Sequence, residues 1–214
     1  MTSRKKFILF DFDGVIANSF ALAFDVSRAF NPELDEEAYK KLFEGNVYES
    51  IKRLNGGGTD NSKEYFALFE PRFLKETRVV PDMPHVIAEL RESYTLVIVS
   101  STLSSPIQQF LELHGIADCF SDVLGMDVHT SKVEKIRMVF EKYVTDAGSC
   151  VFITDTLGDM HEAKEHGMGA IAVSWGFHSH ETLEKGIPFR IVDRPDELPD
   201  AIADYFEITP SISA

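Results

Sequence analysis

Cysteine is scarce in this chain, and so is positive charge. Only Cys119 and Cys150 occur in 214 residues. Two are too few for a disulfide framework at this length, which points to a reducing compartment. Lys and Arg number 21 against 35 Asp and Glu, a net charge of −14. That deficit argues against a general nucleic-acid binder, whose hold on phosphates rests on Lys and Arg. It argues equally against a protein of anionic membrane surfaces. Long apolar runs are missing too. The start Met1-Thr2-Ser3-Arg4-Lys5-Lys6 is basic, like the first part of a signal peptide, but only Phe7 to Phe10 follow before Asp11 interrupts. A signal peptide needs about 7–15 apolar residues and a membrane span about 20. The expectation is a soluble cytoplasmic protein with neither a membrane nor a nucleic acid as partner; monomer and weak dimer stay open.

What is present is ordinary globular composition, 44% apolar and 26% charged, with 17 Phe to fill a core. The length suits one to two domains at about 150 residues each. Phe7-Ile8-Leu9-Phe10 is a continuous apolar run, the mark of a strand buried on both faces of a parallel sheet. Four further runs follow: Leu96–Val99, Val151–Ile153, Ala170–Val173 and Phe189–Val192. Between them lie helical patterns. Val86, Ile87 and Leu90 mark one. Ile107, Phe110, Leu111 and His114 mark a second, with Ser105 as N-cap, Pro106 at the first helical position and Gly115 as stop. Val133, Ile136, Phe140 and Tyr143 mark a third. Strands alternating with helices predict an α/β fold with an open parallel sheet and flanking helices.

Residues 19–79 break that alternation. They carry only helical patterns (Phe20/Ala23/Phe24, Val47/Ile51/Leu54, Tyr65/Leu68/Phe69), broken at Asn31-Pro32, Asn55-Gly56-Gly57-Gly58 and Pro71. The expected organisation is an α/β core of residues 1–18 and 80–214 with an inserted helical cap over 19–79. No internal repeat or low-complexity segment stands out.

The chemistry concentrates at strand ends. Phe10-Asp11-Phe12-Asp13-Gly14-Val15 runs a buried strand into two acids at i and i+2, with both carboxylates on one side of the strand end. Gly14 permits a tight turn and a close backbone approach to a ligand. Two buried like charges need a cation or a shared proton. A second strand ends at Asp155, with Asp159 four residues later at a helix start. Several carboxylates without thiolates select a hard cation such as Mg²⁺. Ser100 and Ser101 close the Leu96–Val99 strand, and Lys132 opens the helix after Ser131.

Taken together, these residues resemble the haloacid dehalogenase-like hydrolase superfamily. Asp11-Phe12-Asp13-Gly14-Val15 looks like its nucleophile motif, Ser100 its hydroxyl motif, Lys132 its lysine motif, and Asp155 with Asp159 its terminal acidic motif. The insertion after the first motif is similar to the helical cap of that superfamily. Ser174-Trp175-Gly176-Phe177-His178-Ser179 looks like the phosphoglycolate phosphatase-type branch. The resemblance implies a Rossmann-like core and a Mg²⁺-dependent phosphatase for a small phosphorylated metabolite, phosphoglycolate-like or a sugar phosphate. It implies Asp11 as nucleophile and Asp13 as general acid and base. Mg²⁺ would be held by Asp11, the Asp13 main-chain carbonyl and Asp155. Ser100 and the backbone near Gly14 and Ser101 would bind phosphoryl oxygens. Lys132 would neutralise charge, and Asp159 would orient it or a metal-bound water, with direct binding of the metal by Asp159 left open. A β-phosphoglucomutase-like phosphomutase using the same aspartyl-phosphate is the alternative, while Asp13 argues against dehalogenase and phosphonatase branches. The sequence departs from the pattern at Thr154, Val133, Asn18 and His180, where Gly, Pro, Asp and Arg are common.

Other signals carry less. His161 and His166 stand at i and i+5, ~140° apart around a helix, and cannot chelate one ion. His178 and His180 read as loop residues, Gly56–Gly58 as a turn, and the Phe-rich stripes of 19–79 as a small core. Asn46, Val47, Tyr48 and Arg53 are candidates for specificity.

Overall fold

A computed structural model describes residues 5–54 and 61–208. The expected turn at Gly56–Gly58 and the first four residues of the basic start lie outside the described residues. In chain order the elements are β1 (Phe7–Phe10), β2 (Ala17–Asn18), α1 (Phe20–Phe30), α2 (Glu36–Lys41), α3 (Val47–Leu54), α4 (Ser62–Glu76) and β3 (Arg78–Val79). Then follow α5 (Met83–Leu90), β4 (Thr95–Val99), α6 (Ser104–Leu113), β5 (Phe120–Leu124), α7 (Lys132–Tyr143) and β6 (Cys150–Thr154). The chain finishes with α8 (Leu157–Glu165), β7 (Gly169–Val173), α9 (His180–Glu184), β8 (Arg190–Val192) and α10 (Leu198–Ile208).

Six parallel strands form one sheet in the order β5-β4-β1-β6-β7-β8. The continuous apolar runs follow from a sheet covered on both faces. Successive side chains point to opposite faces, so Ile8 and Phe10 join one core with Ile98, Ile153 and Ile171, under α5, α6 and α10. Phe7 and Leu9 join a second core with Val97, Phe152 and Ala172, under α7 and α8. β1 lies at the centre, with β4 on one side and β6 on the other. The strand order reverses there, and the crevice beyond the carboxyl ends of such strands is where open α/β sheets bind ligands.

Helices α1–α4 form the insertion, and its two ends are held together. β2 and β3 pair antiparallel through Ala17↔Val79 and Asn18↔Arg78, so the chain leaves and re-enters the sheet side by side. No helix among the described residues is long and apolar enough to cross a membrane. Cys119 and Cys150 are both buried, and neither forms a disulfide among the described residues.

Four readings of the sequence change. Pro71 does not end a helix but lies inside α4, without the N–H that would continue the ladder. Aromatic packing holds the helix through it: Phe69 stacks on Phe73 at 5.1 Å, and Phe73 meets Phe12 and Phe110 at 6.0 and 5.4 Å. The buried stripe of α4 is therefore Phe66/Phe69/Phe73, and Leu68 is exposed. Helix α6 begins two residues earlier than expected, with Leu103 at its N-cap instead of Ser105. The Asp127 carboxylate accepts from Ser104 N–H at 2.7 Å and does the work of a cap from another loop. Finally, β5 was not legible, because Ser121 and Asp122 interrupt its apolar pattern and it is a partly exposed edge.

A proline in a helix interior costs about 3 kcal/mol relative to alanine. Pro71 is exposed, so nothing in the core resists its replacement. Pro71→Ala is expected to raise the unfolding free energy by about 1–3 kcal/mol in urea titration; an unchanged midpoint would show that α4 bends at no cost.

Candidate active site

Each candidate residue hangs from the carboxyl end of a central strand or from the helix start that faces it. Asp11 directly follows β1, Ser100 follows β4, Asp155 follows β6, Asp159 lies in the first turn of α8, and Lys132 opens α7. Ser131 caps α7 by accepting from Glu134 N–H, which fixes Lys132 at the mouth of the crevice. Asp11, Asp13, Ser101, Lys132 and Asp159 all line one cavity of about 210 Å³ between the sheet edge and α1–α4.

The electrostatic centre is a buried ammonium. Lys132 Nζ lies 2.8 Å from Asp11 Oδ1 and 2.7 Å from Asp159 Oδ2, with all three side chains less than a tenth exposed. Thr154 donates to the same Asp159 oxygen at 2.7 Å, so this departure from the family pattern supplies a hydroxyl that holds Asp159 in place. Burial alone would push Asp159 up, but Lys132 and these hydrogen bonds hold its carboxyl below the usual range. Asp11 is different. Burial pushes it well above the usual carboxylate range despite Lys132, and the charges of Asp159 and Asp155 push it further. One ammonium serves two carboxylates, and the negative excess falls on Asp11.

Asp13 sits in a hydroxyl cradle. Ser19 donates to its Oδ1 at 2.6 Å and Thr102 to its Oδ2 at 2.7 Å. Burial pushes its carboxyl up, partly opposed by these two bonds. Gly14 makes the turn beside it at φ +76° and donates its N–H to the Ala17 carbonyl at 2.8 Å. That amide is engaged, so Gly14 contributes space: a Cβ there would lie 2.0 Å from Asp155 Oδ2. Gly176 is equally constrained, with a Cβ position 2.2 Å from the same oxygen. Ser100 is fully buried, and its Oγ accepts from Thr102 N–H at 3.0 Å.

Asp155 bears most directly on a metal. Phe177 N–H donates to its Oδ2 at 2.6 Å, while its Oδ1 is buried with no hydrogen-bond partner. Burial raises this carboxyl to about 7. A bare buried carboxylate oxygen beside a second desolvated acid is costly without a cation. The oxygen-only surroundings fit a hard ion such as Mg²⁺, which keeps several of its waters and needs few protein ligands. No group of three or more acidic, His or Cys side chains in metal-holding geometry occurs among the described residues. Asp159 is committed to Lys132 and Thr154, and the Asp13 carboxylate to Ser19 and Thr102. The side chains left for an ion are Asp11 and Asp155.

Several neighbours escaped the sequence reading. Lys135 is fully buried and donates from Nζ to the Ser100 carbonyl at 2.5 Å. Its i+3 spacing from Lys132 on one helix face was the available signal. Glu162 accepts from Lys132 N–H and from Asn46 Nδ2, both at 3.1 Å, and Tyr48 donates its hydroxyl to the Ser101 carbonyl. His180 opens α9 instead of lying in a loop, whereas His178 is a loop residue with fixed partners. It is buried, accepts at Nδ1 from Leu157 N–H at 2.9 Å, and sets Nε2 2.9 Å from the Lys40 carbonyl, joining α2 to the sheet. Of the specificity candidates, Val47 and Tyr48 line the cavity, while Arg53 is exposed and bonded within α3.

A parallel sheet with an acid-lysine centre at its strand-order reversal, faced by a helical insertion, is the arrangement of a hydrolase class that the family comparison identifies. The chain belongs to the haloacid dehalogenase-like hydrolase family, whose model matches residues 8–173. It is 24% identical over 203 residues to a phosphoglycolate phosphatase of Synechococcus elongatus, covering 91% of this chain and 96% of that one. It is 28% identical over 155 residues to a probable phosphatase, IndB, of Dickeya dadantii, covering 70% and 67%. Its fold is similar to a predicted phosphatase from Clostridium acetobutylicum, with a TM-score of 0.80 at 22% identity over 94% of this chain and all of that one.

Burial, with Lys132 nearby, lowers Lys135 to about 7 from 10.5. Between those values the unfolded chain binds a proton that the folded chain lacks, so stability rises with pH across that window. The full destabilisation is present below about 7. Lys135→Met is expected to raise the thermal midpoint most near pH 6, with the gain shrinking toward pH 9.5. A gain independent of pH would show that Lys135 is not held as a depressed ammonium.

Proposed function

We propose that the protein is a Mg²⁺-dependent phosphatase that hydrolyses a small phosphomonoester through an aspartyl-phosphate on Asp11. The observation that carries this reading is the buried Asp11–Lys132–Asp159 group beside the unpartnered oxygen of Asp155. The similarity to phosphatases over most of the chain supports it.

Asp11 attacks phosphorus in line, the bond from phosphorus to the ester oxygen breaks, and one difficult displacement becomes two easier ones. Asp13, whose carboxyl burial pushes toward its protonated form, gives a proton to the departing alkoxide. The resulting Asp13 carboxylate then takes a proton from the water that attacks the phosphorylated Asp11, releasing inorganic phosphate. Ser19 and Thr102 position Asp13 for both transfers. Lys132 stands against the nucleophile and faces the charge that spreads over the phosphoryl oxygens. Asp159, fixed by Thr154, orients Lys132. Ser100 and Ser101 at the end of β4 offer groups for phosphoryl oxygens. Asp11, Asp155 and the Asp13 main-chain carbonyl would hold Mg²⁺, which when bound neutralises charge on nucleophile and substrate.

Asp11→Asn is expected to abolish phosphate release from 4-nitrophenyl phosphate, and chelation should suppress it in the unmodified protein. Residual turnover in Asp11→Asn above a boiled control sinks the nucleophile assignment. Asp13→Asn should lower turnover of an alkyl phosphate by about 10²–10⁴. The loss should be much smaller for 4-nitrophenyl phosphate, whose leaving group needs little protonation. Equal losses for both esters would remove Asp13 from proton transfer.

A further inference from the structure

The cavity above the proposed nucleophile carries its charge at the floor, while the insertion lines it mainly with apolar and aromatic side chains and with the neutral polar Ser27, Asn31, Asn61 and Ser62. Its upper wall is built from Leu34, Tyr39, Phe43, Ile51, Tyr65 and Phe66, contributed by α2, α3, α4 and the loops between α1 and α3. Tyr39 and Tyr65 bring hydroxyls, but these bond to each other and to Ser27, and burial pushes both phenols up so that they stay neutral. The walls are stiff: Tyr39 packs on Phe43 at 5.2 Å, Phe43 on Phe177 at 5.0 Å, and Tyr65 stacks on Phe69 at 5.6 Å.

The charges in this space are distributed unevenly. Among the described residues lining it, Lys132 is the one Lys or Arg, and it is already shared by Asp11 and Asp159. Glu162 adds another acid on the same side. Two cations on the roof helices are committed elsewhere, Lys40 to Glu36 and Arg72 to Asp25 and Glu76, and Arg28, Lys41, Lys52, Arg53, Lys63 and Lys75 do not line the cavity. A leaving group with its own carboxylate or phosphate would give up its hydration here and meet no positive partner, which costs more than any contact returns. A sugar would set most of its hydroxyls against apolar and aromatic walls, with Ser27, Asn31, Asn61 and Ser62 as the non-aromatic polar side chains that the insertion offers. An apolar group gains instead, and about 150 Å³ of apolar space already accommodates benzene.

Resting on the phosphatase reading above, we propose that the substrate is a phosphomonoester of an uncharged, apolar alcohol about the size of one aromatic ring, with phosphoglycolate and sugar phosphates disfavoured. The phosphoryl group lies on the Asp11–Lys132 floor and the ring or chain enters the wall of α1–α4. Specificity is then set by desolvation, with no charged contact to the alcohol moiety.

The test compares 2-phenylethyl phosphate, ethyl phosphate and phosphoglycolate with Mg²⁺; the two uncharged alcohols have similar acidity, so intrinsic reactivity is matched between them. Burial of a ring-sized apolar group is expected to raise kcat/KM for the phenylethyl ester about tenfold to a hundredfold over ethyl phosphate. Phosphoglycolate should fall at or below ethyl phosphate. A phosphoglycolate preference, or equal values for the phenylethyl and ethyl esters, overturns the inference while leaving the phosphatase reading intact. The hydrolysis-resistant counterparts 3-phenylpropylphosphonate, propylphosphonate and 3-phosphonopropionate are titrated calorimetrically in parallel. If no ester is turned over but the phenyl compound binds at least about tenfold tighter than the other two, the phosphatase reading fails and the apolar pocket stands. If the three bind alike, the pocket assignment fails. Ile51→Arg places a cation in the wall at a part-exposed position outside the catalytic group. It should lower the phenylethyl-to-phosphoglycolate ratio of kcat/KM by tenfold or more, and an unchanged ratio counts against the assignment.

Discussion

The ammonium of Lys132 shared between Asp11 and Asp159 is the contact on which the rest of the site depends. Without it, two carboxylates would face one another in a crevice closed to water, and one would have to take up a proton or turn outward. With it, Asp159 is held ionised and serves as a fixed counter-charge, while Asp11 keeps the residual electrostatic burden. Everything adjacent supports that arrangement. Thr154 pins Asp159, Glu162 receives the main-chain N–H of Lys132, and Ser131 starts the helix at the right residue. Lys135, one turn further along α7, ties the same helix to the end of β4.

The fold makes this possible by placing β1 between β4 and β6. Three strand ends then meet at one edge, and each delivers a polar residue immediately after an apolar run: Asp11, Ser100 and Asp155. Covering both sheet faces with helices dries the edge, which strengthens every charge interaction there and raises Asp11, Asp13 and Asp155 together. Two glycines complete the packing, because no side chain fits between Gly14 or Gly176 and the Asp155 carboxylate.

The insertion solves a different problem. Its helix α4 buries Phe66, Phe69 and Phe73, while Tyr39, Tyr65, Phe66 and Phe69, with Phe43 from the segment after α2, line the cavity. The aromatic stripes that read as a small core are therefore both a core and a wall. His178 and the paired β2 and β3 fasten the insertion to the sheet, so the wall keeps its position over the floor. A largely uncharged roof thus lies above an ionic floor.

By itself the sequence determined the alternation of strands and helices, five of the six strands of the main sheet, and the identity of the acids and the lysine. Each of these is a local property: a strand buried on both faces must be apolar throughout, and a helix start or strand end is marked by its own few residues. Tertiary structure decided what local pattern cannot encode. The edge strand β5 is held by its neighbour despite Ser121 and Asp122, and α4 runs through Pro71 because aromatic contacts from distant segments hold it. Which carboxylate pairs with Lys132, which oxygen of Asp155 is left bare, and which faces of α1–α4 enclose the cavity are also set by segments far apart in the chain. Charge pairing and desolvation depend on distance in space, and the sequence states only distance along the chain.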